Sequence, residues 1–306
     1  MTSDGTGEGI EIFDRRAVRR HRERAARIGT AEFLHEEAAS LLAERLRDVT
    51  RQFSRALVLG GRRGALPGAL AARGGLDLLV ESDDAPAFLA SPRASARLSA
   101  EAEALPFAAA SFDLALSPLA LHWTNDLPGA LLQLRHALRP DGMLLAAVLG
   151  GETLHELRRA FFEAELAEEG GVSPRVSPMA DGRDLAGLLQ RAGFALPVVD
   201  SDRITVTYRD AFALMAELRA MGETNGLRER RRAFTRRATL MRMAAVYHDR
   251  FADGDGRIPA TFEIVTLTAW APHESQPQPL KPGSAATRLA DALGSVENSA
   301  GEKAGR

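Results

Sequence analysis

The residues best suited to chemistry follow a short apolar run near residue 57. The run Arg55–Leu59 ends in Gly60-Gly61-Arg62-Arg63-Gly64, and helically spaced apolar residues begin at Ala65. A buried strand, a glycine turn and a helix in that order are typical of the first unit of a doubly wound sheet, where such folds bind a nucleotide-like ligand. Glycine reaches positive φ cheaply and lets the backbone approach a ligand closely. We therefore assign Gly60, Arg62 and Gly64 to a candidate ligand loop.

Acidic residues follow the next two predicted strands. The run Leu76–Val80 predicts a second strand that ends at Glu81, and a weak third strand near residues 97–100 leads into Glu101 and Ala102. The carboxyl ends of parallel strands share one edge of the sheet. Glu81 is placed to accept hydrogen bonds from two ribose hydroxyls, and Glu101 from an adenine amino group beside Ala102. A solvated loop acid is the alternative interpretation of each.

The elements that must position these residues alternate along the chain. Further strands are predicted near residues 112–116, 143–149, 196–208 and 260–270, and helices near residues 13–28, 31–48, 126–138, 152–168, 184–192, 210–221 and 235–251. This alternation predicts a three-layer α/β sandwich with a mainly parallel sheet and an antiparallel edge. In the turn Arg139–Gly142 we expect the positive φ at Gly142.

Composition excludes several classes of function. The 306 residues carry a net charge of −2, which gives no indication of nucleic-acid binding. The absence of cysteine excludes disulfides, zinc–thiolate sites and thiol nucleophiles. Seven histidines show no metal-ligand spacing, so we expect no metal site. Because no apolar run is long enough for a membrane span and the N-terminus lacks the order of a secretory signal, we expect a cytoplasmic protein.

Motifs inside and outside the glycine loop carry a family resemblance. The segments Ala100–Phe107, Ser111–Leu114 and Arg139–Gly142 resemble the class I S-adenosylmethionine (SAM)-dependent methyltransferases. A more specific similarity, to the mitochondrial complex I assembly factors of methyltransferase fold and their bacterial relatives, rests on Ile12–Arg15, Leu121–Pro128, Gly150–Leu154, Arg191–Phe194, Met221–Asn225 and His273–Gln276. The biotin-pathway methyltransferase that caps a malonyl carrier protein looks like a more distant relative.

The resemblance implies a fold, a cofactor and a partner. It implies a Rossmann-like methyltransferase domain over residues 13–271 with a helical cap over about 152–255. Composition predicts a disordered segment 1–12 before this domain and a flexible tail 272–306 after it. It implies SAM as cofactor and a protein side chain as substrate, on a peripheral-arm subunit of the respiratory NADH dehydrogenase. In that family the activity is linked to arginine hydroxylation rather than methylation. Peripheral attachment to the inner membrane is then an alternative to a purely cytoplasmic location.

Two departures from the family pattern affect the cofactor. The pattern places an acid where this chain has Val58 and a glycine where it has Arg62. A non-glycine residue at positive φ costs about 1 kcal/mol or more, and loss of a charge-assisted hydrogen bond costs about 1.5–3 kcal/mol. Together they lower affinity roughly a hundred-fold. Arg62 either reaches the methionine carboxylate of the cofactor or fills an empty pocket.

A second hypothesis follows from these departures. The chain is then a degenerate, non-catalytic assembly factor that docks through its two arginine clusters, within residues 15–27 and 228–237. Solvated helix faces are the alternative interpretation of both clusters.

Candidate substrate residues lie after strand four and in the late insertion. They are His122, Trp123, Tyr208, Glu223 and Asn225. Packing is the alternative role for Trp123. We expect alanine at Glu223 or Asn225 to lower activity with little effect on the melting temperature. No catalytic residue is assigned.

Overall fold

The computed structural model describes residues 11–29, 31–62, 65–89, 91–277, 287 and 289–296. Contacts group Met1–Pro272 into one compact unit and His273–Arg306 into another. The second unit contains a turn in which His273 Nδ1 lies 2.7 Å from Ser275 Oγ, and the short helix α9 (Leu289–Leu293). Most of the predicted N-terminal segment 1–12, and Gly64, lie outside the described residues.

A seven-stranded sheet forms the middle layer of the larger unit. Its strands are β1 (Arg55–Leu59), β2 (Leu78–Asp83), β3 (Ala96–Ser99), β4 (Phe112–Pro118), β5 (Leu138–Leu149), β6 (Ala195–Tyr208) and β7 (Ile258–Trp270), in the spatial order β3-β2-β1-β4-β5-β7-β6. β7 runs antiparallel to both neighbours, β5 and β6, and the other pairs are parallel. The predicted antiparallel strand therefore lies one place in from the edge.

Helices cover both faces of this sheet. They are α1 (Arg15–Ile28), α2 (Phe33–Arg47), α3 (Ala65–Arg73), α4 (Leu127–Ala137), α5 (His155–Glu169), α6 (Gly182–Arg191), α7 (Ala211–Met221) and α8 (Arg237–Phe251). One core joins the sheet to α2, α3, α5, α7 and α8, and the other joins it to α4 and α6. β4 is buried along its whole length, as a central parallel strand must be. The predicted three-layer sandwich is confirmed.

The predicted turn before the buried part of β5 differs in one detail. Asp141, not Gly142, has the positive φ, at 62°. The Asp141 carboxylate forms an ion pair with Arg51. A Cβ on Gly142 would lie 2.8 Å from the carbonyl oxygen of Arg139. Gly142 is therefore required here by close packing rather than by its φ angle.

The N-terminal helix α1 is fixed at both ends. Asp14 caps it by accepting a hydrogen bond from the backbone N of Ala17 at 3.0 Å, as predicted, and Gly29 ends it with φ of 67°. An antiparallel bridge joins Phe13 to Leu227, which ties the start of α1 to the segment after α7. No helix in the described part of the chain is both long and apolar enough to cross a bilayer.

Candidate functional site

The glycine loop after β1 has the backbone that its sequence predicts. Gly60 adopts φ of 72°, and its amide N donates to the carbonyl oxygen of Ser82 at 2.8 Å. A Cβ on Gly60 would lie 2.7 Å from the Cβ of Ala120, so any larger residue collides with the loop after β4. The loop thus brings the ends of β1, β2 and β4 together.

A cavity of about 280 Å³ opens beside this loop, at the carboxyl edge of the parallel strands. Three predicted cofactor residues, Gly60, Glu101 and Ala102, line it. Its other lining residues are Arg15, Arg16, Val18, Arg19, Arg22, Leu59, Ser82, Asp83, Asp84, Ala100, Glu103, Ala120, Trp123 and Thr124. We call it the first cavity.

Glu81 does not line this cavity, which corrects the prediction from sequence. β2 begins at Leu78 and continues to Asp83, so Glu81 lies within the strand, paired with Val58. Its carboxylate is buried 2.9 Å from where a Cβ of Gly61 would stand, and burial raises its pKa. Asp83 and Asp84 occupy the end of the strand and line the cavity instead.

Arginines of α1 close over these acids. Arg22 is buried and donates from Nη2 to both oxygens of Asp83, at 2.8 and 2.9 Å, while its Nε lies 3.0 Å from Asp84. Burial lowers the pKa of Arg22, but Asp83 and Asp84 outweigh it and hold the pKa above its usual range. Arg15 pairs with Glu101 at 2.8 Å. Part of the first basic cluster is therefore a lid over the first cavity rather than a solvated face.

Arg62 faces away from the first cavity. Its Nη1 donates to the carbonyl oxygen of Met221 at 2.6 Å, and its Nη2 lies 3.3 Å from Glu223 Oε1. The guanidinium stacks over Phe88 at 4.6 Å, and only 5% of the residue is exposed. Burial, reinforced by Arg22, lowers its pKa to about 10. Of the two alternatives for Arg62, its contacts match the filling of an interior pocket.

Glu223 is the centre of a buried polar cluster. Besides Arg62, it is approached by His122 Nε2 at 3.2 Å, Trp123 Nε1 at 3.0 Å and His35 Nε2 at 3.4 Å. Burial alone raises its pKa, but His122 and His35 outweigh that and hold it well below its usual range. No three metal-ligating side chains among the described residues are arranged to hold an ion. The cluster therefore joins the loop after β1, the loop after β4 and the end of α7 through charge and hydrogen bonds.

A second cavity, of about 330 Å³, lies on the other side of Trp123. Three predicted substrate residues line it: Trp123, Glu223 and Asn225. Its other lining residues are His21, Arg24, Leu149, Thr153, Leu154, Leu157, Phe161, Arg175, Val176, Ser177, Met179, Met215, Leu218, Arg219, Thr224, Arg230 and Arg231. Trp123 lines both cavities, so the two cavities adjoin at this residue.

Asn225 also has a structural role at this cavity. Its Nδ2 donates to the carbonyl oxygen of Pro174 at 2.7 Å, and its Oδ1 accepts from the backbone N of Leu227 at 3.0 Å. Asn225 thereby ties the loop after α5 to the segment after α7.

Tyr208 is not brought to the site. It pairs with Ile258 beyond the last pair between β5 and β7, Leu149–Ile264, and lines neither cavity. It packs in the core, and burial raises the pKa of its phenol.

Three residues with site contacts were not identified from the sequence, namely His35, Asp83 and Asp84, and Arg22 was identified only as a member of the first basic cluster. The two acids had a usable signal, since they directly follow the predicted second strand. Arg22 and His35 had no comparable signal, because their partners lie 61 and 188 positions away on other elements.

Comparison with known proteins gives consistent results. A methyltransferase-domain family matches residues 57–146. The chain is 38% identical over 291 residues to the arginine-hydroxylase NDUFAF5 of Danio rerio, covering 93% of this chain and 90% of that protein. The human protein of the same name is 39% identical over 296 residues, covering 94% and 85%. A malonyl-[acyl-carrier protein] O-methyltransferase of Halorhodospira halophila is 37% identical over 268 residues, covering 85% and 89%.

Solved structures agree on the fold. The YcgJ protein of Bacillus subtilis superposes with a TM-score of 0.53 at 14% identity, over 78% of this chain and 99% of that one. A methyltransferase-like protein of Bacillus halodurans gives the same TM-score over 76% of this chain and 100% of its own. The chain belongs to the class I methyltransferase-fold family that includes the arginine-hydroxylase NDUFAF5.

Proposed function

We propose that this chain is an enzyme that binds SAM in the first cavity and modifies a protein side chain presented in the second. The observation that carries the proposal is the position of Trp123, which lines both cavities. A cofactor on one side and a side chain on the other would then meet at this residue. Two reactants held in adjoining cavities avoid much of the entropic cost of meeting in solution.

The residues of the first cavity suit such a cofactor. Gly60 lines the cavity with φ of 72° and without a side chain, and the acids at the strand ends suit the hydroxyl and amino groups of a nucleoside. Asp83 and Asp84 would hold the ribose, and Glu101 the adenine edge beside Ala102. When bound, the group supplies an activated methyl. Glu81 and Arg62, assigned to the cofactor from the sequence, act in this proposal through the loop rather than by contact.

The substrate and location follow from the family. Because its relatives are named arginine hydroxylases, we infer a protein substrate with an arginine as the leading target. A peripheral-arm subunit of the NADH dehydrogenase is the proposed partner, met in the cytoplasm at the surface of the inner membrane. The elements between about residues 152 and 255, apart from β6, would act as the cap over the substrate.

Calorimetric titration of the full chain with SAM tests the cofactor. We expect micromolar binding by the unaltered protein and at least ten-fold weaker binding by Asp83→Asn. Glu44→Gln on the exposed surface of α2 is the matched control for loss of one carboxylate. No binding at millimolar SAM would contradict the proposal and favour a non-catalytic docking factor.

Mass spectrometry of the NADH dehydrogenase from cells that lack this chain tests the substrate. We expect the loss of one modification on a peripheral-arm subunit, which the intact gene restores. An unchanged set of modifications and normal assembly of the complex would overturn the proposed partner.

A further inference from the structure

The second cavity carries more positive charge than its neighbours neutralise. Five arginines line it, and three of them have an acidic partner. These pairs are Arg175–Glu165, Arg230–Asp14 and Arg231–Glu169. The other two, Arg24 and Arg219, have no acidic partner within 4 Å among the described residues. Glu223, the one acid among the described residues that line the cavity, is already paired with Arg62.

Arg24 and Arg219 belong to different helices that meet at the mouth of the cavity. Arg24 projects from α1 and Arg219 from the last turn of α7, and both are exposed. Partial burial, and then the positive charge of Arg219, lower the pKa of Arg24. The two guanidinium groups repel each other, and an anion bound between them would relieve that repulsion.

His21, which also lines the cavity, is subject to the same positive potential. It lines the cavity one turn before Arg24 on α1. Burial, and then Arg24 and Arg230, lower its pKa to about 4, so its ring is neutral at pH 7. His21 therefore adds no charge, and the excess at the mouth comes from the two arginines.

The cavity is lined by apolar side chains and by a buried hydroxyl that needs a partner. Leu154, Leu157, Phe161 and Met179 line its inner part. The Thr224 hydroxyl, also in the lining, is buried with no hydrogen-bond partner among the described residues. A ligand for this site therefore combines an apolar body with an anionic group and an acceptor or donor for one hydroxyl.

We propose that the second cavity binds an acidic side chain of the protein substrate, held between Arg24 and Arg219, with apolar neighbours of that side chain on the cavity floor. This inference rests on the proposed function, since it names the substrate segment that the same site accepts. Without this acidic side chain the two arginines would repel a cationic target such as arginine, and with it that repulsion is offset. A target residue with an acidic neighbour is therefore accepted, and a uniformly basic segment is rejected.

A pair of tripeptides tests the charge preference without the cofactor. The probes are N-acetyl-Leu-Glu-Leu-amide and N-acetyl-Leu-Gln-Leu-amide, which differ only in the carboxylate. Binding is followed on the full-length chain by the methyl signals of Met179 and Met215 in NMR titrations, since both side chains line the cavity. We expect the acidic peptide to bind at least ten-fold more tightly than its amide counterpart.

Two double variants assign the preference to this pair. Arg24→Gln with Arg219→Gln should bring the two peptides to within about two-fold of each other. Arg27→Gln with Arg242→Gln removes the same charge from α1 and α8 at exposed residues outside the cavity, and should keep the ten-fold preference.

Three results would overturn the inference: equal binding of both peptides, no binding of the acidic peptide at 10 mM, or a preference that survives in the Arg24/Arg219 variant. A chain that fails to bind SAM but keeps the preference would refute the proposed function and leave the anionic site standing. A chain that binds SAM but shows no preference for the acidic peptide would refute the anionic site and leave the proposed function standing.

Discussion

Arg62, in the loop after β1, is buried against Glu223 at the end of α7, with Nη2 and Oε1 3.3 Å apart. The pair joins a residue of the candidate cofactor loop to the wall of the second cavity. Arg62 has φ of 32°, so its backbone is strained for a residue with a side chain. The buried ion pair, the carbonyl of Met221 and the stacking on Phe88 are the contacts that offset this strain.

The first prediction concerns this pair. Removing one partner leaves the other buried without its ion-pair partner, so Arg62→Gly and Glu223→Gln should each lower the free energy of unfolding. For Arg62→Gly we expect about 2–4 kcal/mol, because glycine also relieves a backbone strain of about 1 kcal/mol at positive φ. The double variant should cost less than the sum, because each single change strands the other member of the pair and the double variant strands neither. Urea denaturation of the three variants measures the coupling.

Arg47→Gln is the control, because Arg47 forms an exposed pair with Glu44 and should cost less than about 1 kcal/mol. Additive losses for Arg62 and Glu223 would show that the pair contributes no coupling. The expectation from sequence, that alanine at Glu223 leaves the melting temperature nearly unchanged, does not suit a carboxylate 8% exposed with four cationic or N–H neighbours.

The second prediction distinguishes two acids of β2. Asp83 lines the first cavity and Glu81 does not, so Asp83→Asn should weaken SAM binding and Glu81→Gln should leave it within about three-fold. Loss of a charged hydrogen-bond partner costs about 1.5–3 kcal/mol, which is roughly a ten- to hundred-fold change in Kd. Calorimetry on both variants provides the comparison.

Thermal melts must accompany it, because Asp83 also holds Arg22. Arg22 keeps Asp84 as a second partner in Asp83→Asn, so the variant should remain folded. The opposite order of affinities, with Glu81→Gln the weaker binder, would restore the assignment made from the sequence.

The sheet was predictable because its central strands are long apolar runs. Residues 112–118 of β4 and 143–149 of β5 are buried on both faces, and no other common element gives that pattern beside glycine turns. Helix α1 was predictable from the cap at Asp14. These are local signals, and each depends on neighbours in sequence.

The end of β2 was harder to predict, since it is fixed by pairing rather than by composition. Asp83 remains in the strand because it pairs with Ser99 of β3, and Ser82 because it pairs with Leu59 of β1. A polar run such as Glu81-Ser82-Asp83 has no local reason to extend a strand. The two-residue difference decides which acid reaches the cavity.

The ion pairs between distant residues of the site depend on tertiary structure. Arg62 and Glu223 are 161 positions apart, and Arg22 and Asp83 are 61 apart. The sequence identifies each residue as charged and places it on an element or in a loop. It does not specify which cations meet which acids, because that depends on how α1 and α7 pack together.

The third prediction concerns acid stability. Burial, and then Arg62, lower the pKa of His35 from 6.5 to about 3, and Arg22 acts in the same direction against Glu223. Below pH 6.5 the unfolded chain takes up a proton that the folded chain does not. The contribution of His35 to stability therefore falls as pH drops from about 6.5 towards 3, with a loss of about 1.4 kcal/mol at pH 5.5.

Unfolding free energies at pH 7.5 and pH 5.5 check this. In His35→Gln the difference between the two values should shrink by about 1 kcal/mol relative to the unaltered chain. His248→Gln, at an exposed position of α8, should leave the difference unchanged. An unchanged difference in His35→Gln as well would mean that His35 titrates alike in both states.

The last prediction isolates what Gly60 contributes to the loop. Gly60 and Gly74 have nearly equal φ values, 72° and 77°, so alanine at either pays a similar backbone strain of about 1 kcal/mol. They differ in surroundings: a Cβ at Gly60 would lie 2.7 Å from the Cβ of Ala120, and a Cβ at Gly74 meets nothing within 4 Å. Gly60→Ala should therefore lower the free energy of unfolding by about 1–3 kcal/mol more than Gly74→Ala, as overpacking does. Because the same contact spaces the loops after β1 and β4, Gly60→Ala should also weaken SAM binding, while Gly74→Ala should not.

Equal stability losses in the two variants would show that the loops have room to separate, and that the spacing between Gly60 and Ala120 does not define the cofactor cavity.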